Sequence, residues 1–394
     1  MPARHYPNVL IVSFDALRRD FISLYSDNSF ELPLFDRAAG LGVVFTQAIA
    51  NANWTVPSHA SLFTGLESHL HRIFDWGQHL SEDTSTIFAR ARELGYQTAF
   101  FGSEGVIPIV ASRPGDFDII GLERDARIDL IHQSNQKPWL VFWHFLDTHA
   151  PYNMIPSQPA NPKLIDFDLG KPEFNYIREL INTDRVDEIH TAIRNNLIIA
   201  GAAVEKLWDR LGENSIVVLL SDHGEDWRPY HSFHCSFEVP VLRIPMVVSA
   251  PGLDALTKDC LISHADVPAL IWLLASINES ERLDRINTWR SQSDILGRVI
   301  VGGPDEFNNR ETYFAACDKS RMIIVEPSSG KQQHFYIDEK LRHRAHSWKE
   351  QMWIHLDQEL MKVLKRTYER VDPPVFSEND TEKLLKHLEK LGYI

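Results

Sequence analysis

The chain has 394 residues, 44% hydrophobic and 24% charged, a balance that fits a globular protein and excludes a disordered or fibrous one. Its net charge of −14 argues against nucleic acid or an anionic membrane as a general partner, since both attract basic surfaces. Three cysteines, Cys235, Cys260 and Cys317, have no paired spacing, so no disulfide framework is expected.

The first element is Asn8–Phe14 (NVLIVSF), an apolar strand that stops at Asp15 and leads into the polar start Ala16-Leu17-Arg18-Arg19-Asp20. With a core strand expected this early, no signal peptide is expected. Next comes WTVPSHASLFTG, Trp54 to Gly65, in which Pro57 and Ser58 mark a helix start and Gly65 its stop. Thr55 would sit just before that N-terminus, where unpaired N–H groups favour negative charge. Two readings of it stand: a helix cap, or a hydroxyl that becomes a nucleophile when a metal lowers its pKa.

Further strands are expected at Gln97–Phe101 and Trp139–Phe145, with amphipathic helices over Thr84–Leu94 and Thr191–Leu211. The segment WLVFWHFLDTHAPY runs from an apolar strand into Asp147 and His149; His144, inside the strand, reads as structural. Ser215–Ser221 is an apolar run of the kind buried on both faces of a parallel sheet, and it ends in Asp222-His223-Gly224. A carboxylate and an imidazole side by side at the end of a buried strand are costly unless something binds them, and a divalent metal would use both. Asp15 and Asp222 thus end two buried strands at the sheet edge where open α/β folds place ligands.

Ile244–Ser249 is a further strand, and Asp266 with Pro268 opens a buried helix. The apolar stretch Leu261–Ile277 contains His264, Asp266 and Pro268, which disqualifies it as a membrane span. Alternation of strands and helices implies an α/β fold with a mainly parallel sheet covered on both faces. After residue 303 the pattern changes to short alternating runs, Glu311–Cys317, Arg321–Glu326 and Gln332–Ile337, an antiparallel set. Two charged helices, Ser347–Arg370 and Asp380–Leu391, end the chain. The expected division is a catalytic domain over 1–303 and a small C-terminal α+β domain over 304–394.

Asp15 with Leu17-Arg18-x-Asp20, TVPSHASLFTG, DTHAPY, SDHGE and His234 ahead of RIPMVV occur in an order that resembles the sulfatase branch of the alkaline phosphatase superfamily. Asp36-Arg37-Ala38 with GVVFT, His264-Ala-Asp-Val-Pro268 and the terminal LGYI extend the likeness over nearly the whole chain. The resemblance implies an alkaline phosphatase-like α/β/α sandwich with a small antiparallel C-terminal domain. Departures from the pattern carry as much information. Sulfatases place Cys or Ser, oxidised to formylglycine, where this chain has Thr55, which that oxidation cannot convert. His59 stands in place of the motif's arginine, and Ala16 in place of the second of two paired aspartates. Thr with Asp, Asp and His instead resembles phosphodiesterases, phosphonate monoester hydrolases and threonine-dependent phosphoryl-group transferases.

From this resemblance, one divalent ion is expected on Asp15, Asp222, His223 and the Thr55 oxygen. A mixed oxygen and imidazole set suits Mn²⁺ or Zn²⁺ better than Ca²⁺ or Mg²⁺, and a second metal stays open. Thr55 is the expected nucleophile, His149 the group that protonates the leaving oxygen, and His234, with His59, the binder of substrate oxygens. Trp54, Tyr152 and Trp227 either line the pocket or pack around it. The expected function is cleavage of phosphate esters on a small anionic substrate. The alternatives are sulfuric ester hydrolysis, phosphoryl-group transfer, and a degenerate family member kept for binding. A cytoplasmic protein with no nucleic-acid or membrane partner is expected, and a homo-oligomer is allowed.

Overall fold

A computed structural model describes residues 6–27, 29–75, 78–103, 106–111, 113–122, 126, 128–131, 137–154, 172–228, 235–296, 298–305, 308–326, 331–337 and 342–344. The charged helices expected at Ser347–Arg370 and Asp380–Leu391 lie outside the described residues, as does His234.

Eight strands form the main sheet: β1 Asn8–Phe14, β2 Gly42–Ile49, β3 Gln97–Gly102, β4 Ile119–Leu122, β5 Trp139–Phe145, β6 Ser215–Ser221, β7 Met246–Ser249 and β8 Leu256–Ser263. Their spatial order is β4-β3-β5-β1-β6-β7-β2-β8. All neighbours are parallel except β7, which runs antiparallel to both β6 and β2. The chain leaves β1 for β2 on one side and then crosses to β3, β4 and β5 on the other, so the connections diverge at β1. In open α/β sheets such a divergence leaves a crevice at the carboxyl ends of the strands.

Both faces of this sheet are covered, which is why its central strands are apolar throughout instead of alternating. On one face, Leu10, Val12, Val141, Trp143, Val217 and Leu219 pack against the long helix Val186–Leu211 through Leu197, Val204 and Leu207. On the other, Val9, Ile11, Leu140, Phe142, Val218 and Leu220 meet Val56, Ala60 and Phe63 of the helix Thr55–Thr64. Phe63 lies edge-on to Phe142 at 4.9 Å between centroids and to Phe100 at 5.8 Å, and such pairs add to simple area burial.

A second, antiparallel sheet has the order β13-β12-β11-β10-β9, from β9 Val299–Asp305, β10 Asn308–Cys317, β11 Arg321–Val325, β12 Gln332–Ile337 and β13 Arg342–Arg344. It packs on the end of the main sheet through Val299, Val301, Ala315 and Met322 against Ile49, Phe237 and Leu261. The Asn51 side-chain amide donates to the Ile300 carbonyl at 3.0 Å, tying the segment before Thr55 to this sheet. Among the described residues, no helix is long and apolar enough to cross a membrane.

Candidate active site

Register brings the two strand-end carboxylates together. Phe14 pairs with Ser221 across β1 and β6, so the residues that follow, Asp15 and Asp222, emerge side by side. Ser13 pairs with His144 on β5 and with Leu220 on β6. Side chains alternate along a strand, so Ser13, Asp15, His144 and Asp222 continue the row that faces the helix Thr55–Thr64.

That helix begins two residues before the Pro57 that marks its start in the sequence. Trp54, extended at φ −164°, is its N-cap, Thr55 is its first residue, and Gly65 ends it in the left-handed conformation at φ 70°. A threonine inside the first turn does not cap the backbone; its hydroxyl is turned to the strands. Thr55 Oγ1 lies 3.5 Å from Asp15 Oδ2 and 3.3 Å from His223 Nε2. His223 Nε2 is in turn 3.6 Å from Asp15 Oδ1 and 3.6 Å from Asp222 Oδ2. The His223 Nδ1–H donates to the Gly224 carbonyl at 2.8 Å, which puts the lone pair of the neutral ring on Nε2, facing the carboxylates.

Four of the sequence-derived residues, Asp15, Thr55, Asp222 and His223, therefore surround one small volume, all buried to within 7% exposure. Asp15 Oδ1 and Asp222 Oδ2 are buried and accept no hydrogen bond. Two such oxygens with an imidazole nitrogen between them are the donor set of a divalent cation, which would remove the desolvation cost of both carboxylates. These residues fit the ion that the sequence implies.

The electrostatics point the same way. At Asp15, burial opposes ionisation but His149, His144 and His223 outweigh it and hold the carboxyl low. At Asp222, burial and then the facing Asp15 charge prevail and push the pKa up. One carboxylate of the pair is thus destabilised by the other until positive charge is supplied.

His149, 5% exposed, follows the strand end and donates from Nδ1 to the Ala150 carbonyl at 2.6 Å. Burial disfavours its charge, but Asp15, Glu225 and Asp222 prevail, so its pKa is raised. His59 lies one turn below Thr55 and is fully buried. Its Nδ1–H donates to the Thr55 carbonyl at 2.9 Å, and its Nε2 accepts from the Ser13 hydroxyl at 3.1 Å. Burial, then the nearby His144, keeps its pKa well below that of an ordinary histidine. In this arrangement His59 supports the floor of the site.

The sequence reading passed over two groups. His144, taken there as structural, has Nε2 3.3 Å from Asp15 Oδ2 and 4.0 Å from Asp222 Oδ2. Its only sequence signal is a polar residue on the Leu140–Phe142 row, and its meaning depends on the β1–β5 register. Glu225, just past Gly224, is buried and accepts from the Tyr152 hydroxyl and from Trp227 Nε1 at 3.1 Å. Burial pushes its pKa up, although the nearby His149 draws it down. Tyr152 and Trp227 are thus packed onto Glu225, and the Arg18 guanidinium, forked onto Asp20 at 2.7 and 3.0 Å, covers the Trp227 ring at 5.0 Å.

Comparison with known proteins agrees with this architecture. The family described as Sulfatase matches residues 7–116 and 124–277. Among curated proteins, the Delta 4,5-hexuronate-2-O-sulfatase of Bacteroides thetaiotaomicron is 21% identical over 311 residues, 65% of this chain and 64% of that protein. The chain therefore spans under two thirds of that relative's length. Among solved structures, a protein in complex with its substrate D-glucosamine-2-N,6-O-disulfate superposes with a TM-score of 0.64 at 17% identity, covering 94% of this chain and 99% of that one. The phosphonate monoester hydrolase of Agrobacterium radiobacter gives a TM-score of 0.58 at 16% identity, covering 98% and 96%. At these identities the structures speak to fold alone. The two-sheet architecture is that of the alkaline phosphatase superfamily, in its sulfatase branch. The chain belongs to the sulfatase family.

Proposed function

We propose that this chain is a metal-dependent hydrolase that cleaves phosphate esters of a small anionic substrate through a phospho-Thr55 intermediate. The observation that carries the reading is the position of Thr55 Oγ1, 3.5 Å from Asp15 and 3.3 Å from His223 at the first turn of a helix. Asp15, Asp222, His223 and Thr55 would hold the cation, with Mn²⁺ or Zn²⁺ suited to the mixed donor set. Bound there, a divalent ion supplies Lewis acidity that favours the alkoxide form of Thr55 and offsets charge on the transferred group.

The ionised Thr55 oxygen forms the new bond to phosphorus while the bond to the ester oxygen breaks. The leaving oxygen takes the proton of the protonated His149, whose carboxylate neighbours favour its charged form. Water then attacks phosphorus, gives its proton back to His149, and displaces the Thr55 oxygen. Acid and base roles alternate on one imidazole, so the cycle closes. A threonine carries one hydroxyl and cannot become an aldehyde, so the transferred group must be released by water attacking it directly, a route open to a phosphoryl group. His59, held between Thr55 and Ser13, would position the nucleophile. His234 would bind the non-bridging oxygens.

Sulfuric ester hydrolysis is the second reading, favoured by the family description and by the curated relative, which is a sulfatase. A panel of phosphomonoester, phosphodiester, phosphonate and sulfate esters with added Mn²⁺ or Zn²⁺ separates the two. Faster turnover of phosphorus esters is expected, and preferential sulfate turnover would overturn the assignment.

A further inference from the structure

We infer that His144 Nε2 is a ligand of the same cation as Asp15, Asp222 and His223, so that the centre has two imidazoles and two carboxylates. The inference rests on the metal-centre reading above and extends it to a residue that the sequence pattern does not mark. Two ligands of one ion at bonds of about 2.1 Å stand roughly 3 to 4.2 Å apart, depending on the angle between them. His144 Nε2 meets that condition with both carboxylates, at 3.3 Å from Asp15 Oδ2 and 4.0 Å from Asp222 Oδ2. The His223 nitrogen meets it on the other side, at 3.6 Å from Asp15 Oδ1 and 3.6 Å from Asp222 Oδ2, so Asp15 would turn one oxygen to each imidazole.

A different grouping, His59 with His144 and Asp222, brings ligand atoms within 4.8 Å of one another, as Asp15, Asp222 and His223 do, and would make a second ion site. The hydrogen bonds of His59 argue against it. Its Nδ1 carries a proton given to the Thr55 carbonyl, and its Nε2 lone pair receives the Ser13 hydroxyl. Neither nitrogen can ligate without breaking one of these bonds. The His59 ring instead lies edge-on to His144, with centroids 4.6 Å apart and planes at 75°, and holds that ring against the carboxylates. Ring support of this kind fixes ligand orientation at metal centres. His144 sits directly across from Ser13 in the sheet, one row below Asp15, and therefore approaches the ion from beneath. With two imidazoles the centre would prefer Zn²⁺ or Mn²⁺ to the oxygen-seeking Ca²⁺ and Mg²⁺.

X-ray absorption of the full chain loaded with one equivalent of Zn²⁺ counts imidazoles directly. Two are expected in the wild-type protein and one in His144→Gln, together with Zn²⁺ affinity about 10-fold or more weaker by chelator competition. The wild-type count does not depend on the variant folding. A single imidazole on a stoichiometric ion would overturn the role of His144 while leaving the metal centre intact. Two ions per chain would overturn it in favour of the His59 grouping. Failure of the wild-type chain to bind any ion would remove the metal reading of the site itself, and this inference with it.

Discussion

Asp222 Oδ1 accepts the backbone N–H of Ala16 at 3.0 Å, which locks the turn after the Asp15 carboxylate onto the Asp222 carboxylate. The same oxygen accepts the His223 N–H at 2.9 Å, so Oδ1 is committed to backbone and Oδ2 alone faces the site. Ala16 is held at φ 56°, a left-handed conformation that costs a residue with a Cβ about 1 kcal/mol. Backbone geometry at the ends of β1 and β6 is thus set by the carboxylate that also serves the site.

This division of labour predicts the phenotype of Asp222→Asn. An amide oxygen in the Oδ1 position keeps both backbone bonds, so the thermal midpoint of the apo protein should move little. An amide nitrogen in the Oδ2 position cannot ligate, and Zn²⁺ or Mn²⁺ affinity should fall by about 10²-fold. Calorimetric titration against a melting curve separates the two effects; a protein that unfolds without losing affinity would contradict the assignment of the two oxygens.

Thr55→Ala should lower ester turnover by roughly 10³-fold or more, since it removes the hydroxyl that lies against both the Asp15 carboxylate and the His223 ring. Thr55→Ser should keep a measurable fraction. Full activity of the alanine variant on every ester tested would show that another group attacks.

If His149 protonates the leaving oxygen, His149→Ala should be sensitive to the leaving group. Esters of poorly acidic alcohols should lose about 10²- to 10⁴-fold in kcat/KM, and activated aryl esters far less. Equal losses on both would place His149 in binding and not in proton transfer.

Gly224 faces a barrier of its own. A Cβ there would stand 1.9 Å from the Pro240 carbonyl oxygen, while the Gly224 N–H donates to Val241 at 2.7 Å. Gly224→Ala should destabilise by about 1–3 kcal/mol by overpacking. Because His223 is anchored on the Gly224 carbonyl, metal affinity should fall as well. Urea midpoints and a metal titration read the two losses separately.

His71 offers a pH test away from the reacting groups. It accepts the Ile73 N–H on Nδ1 at 3.0 Å, and its Nε2–H is 3.0 Å from Ser61 Oγ, an arrangement that requires the neutral ring. Burial, then the neighbouring His69, lowers its pKa to about 3. The unfolded chain, with a histidine pKa near about 6.5, therefore binds the proton first. Stability from this group is complete above that value and is lost as pH falls towards the folded pKa. Between pH 6.5 and 4 the wild-type unfolding free energy from urea titration should drop more than that of His71→Gln, by about 1–2 kcal/mol, allowing for the partial exposure of the ring. Parallel profiles would show that the ring is not buried neutral.

Much of the frame is legible in the residues. β1, β5 and β6 follow apolar runs whose ends coincide with the polar residues that stop them, and the three short runs expected after residue 303 fall on β10, β11 and β12. The strand expected at Ile244–Ser249 is realised as Met246–Ser249, but its antiparallel direction was not legible in the residues. Asp266 stands at the N-cap of helix Val267–Ser276, yet its carboxylate serves the Ser263 N–H and Ser293 hydroxyl instead of the helix. Local sequence indicates where a helix begins, not which distant donor will claim a side chain.

From its residues alone, this chain determined that β1, β5 and β6 would be buried strands, where each would stop, and that the stops of β1 and β6 would carry Asp15 and Asp222-His223. That information is local, because apolar runs and the polar groups that end them are contiguous in the chain. Tertiary structure decided which rows meet. Pairing of Ser13 with His144 and of Phe14 with Ser221 turned a histidine that looked structural towards the carboxylates, and set His59 beneath Thr55. Register between strands far apart in sequence is a property of the packed sheet, and a shift of one residue would have sent every one of these side chains to the other face.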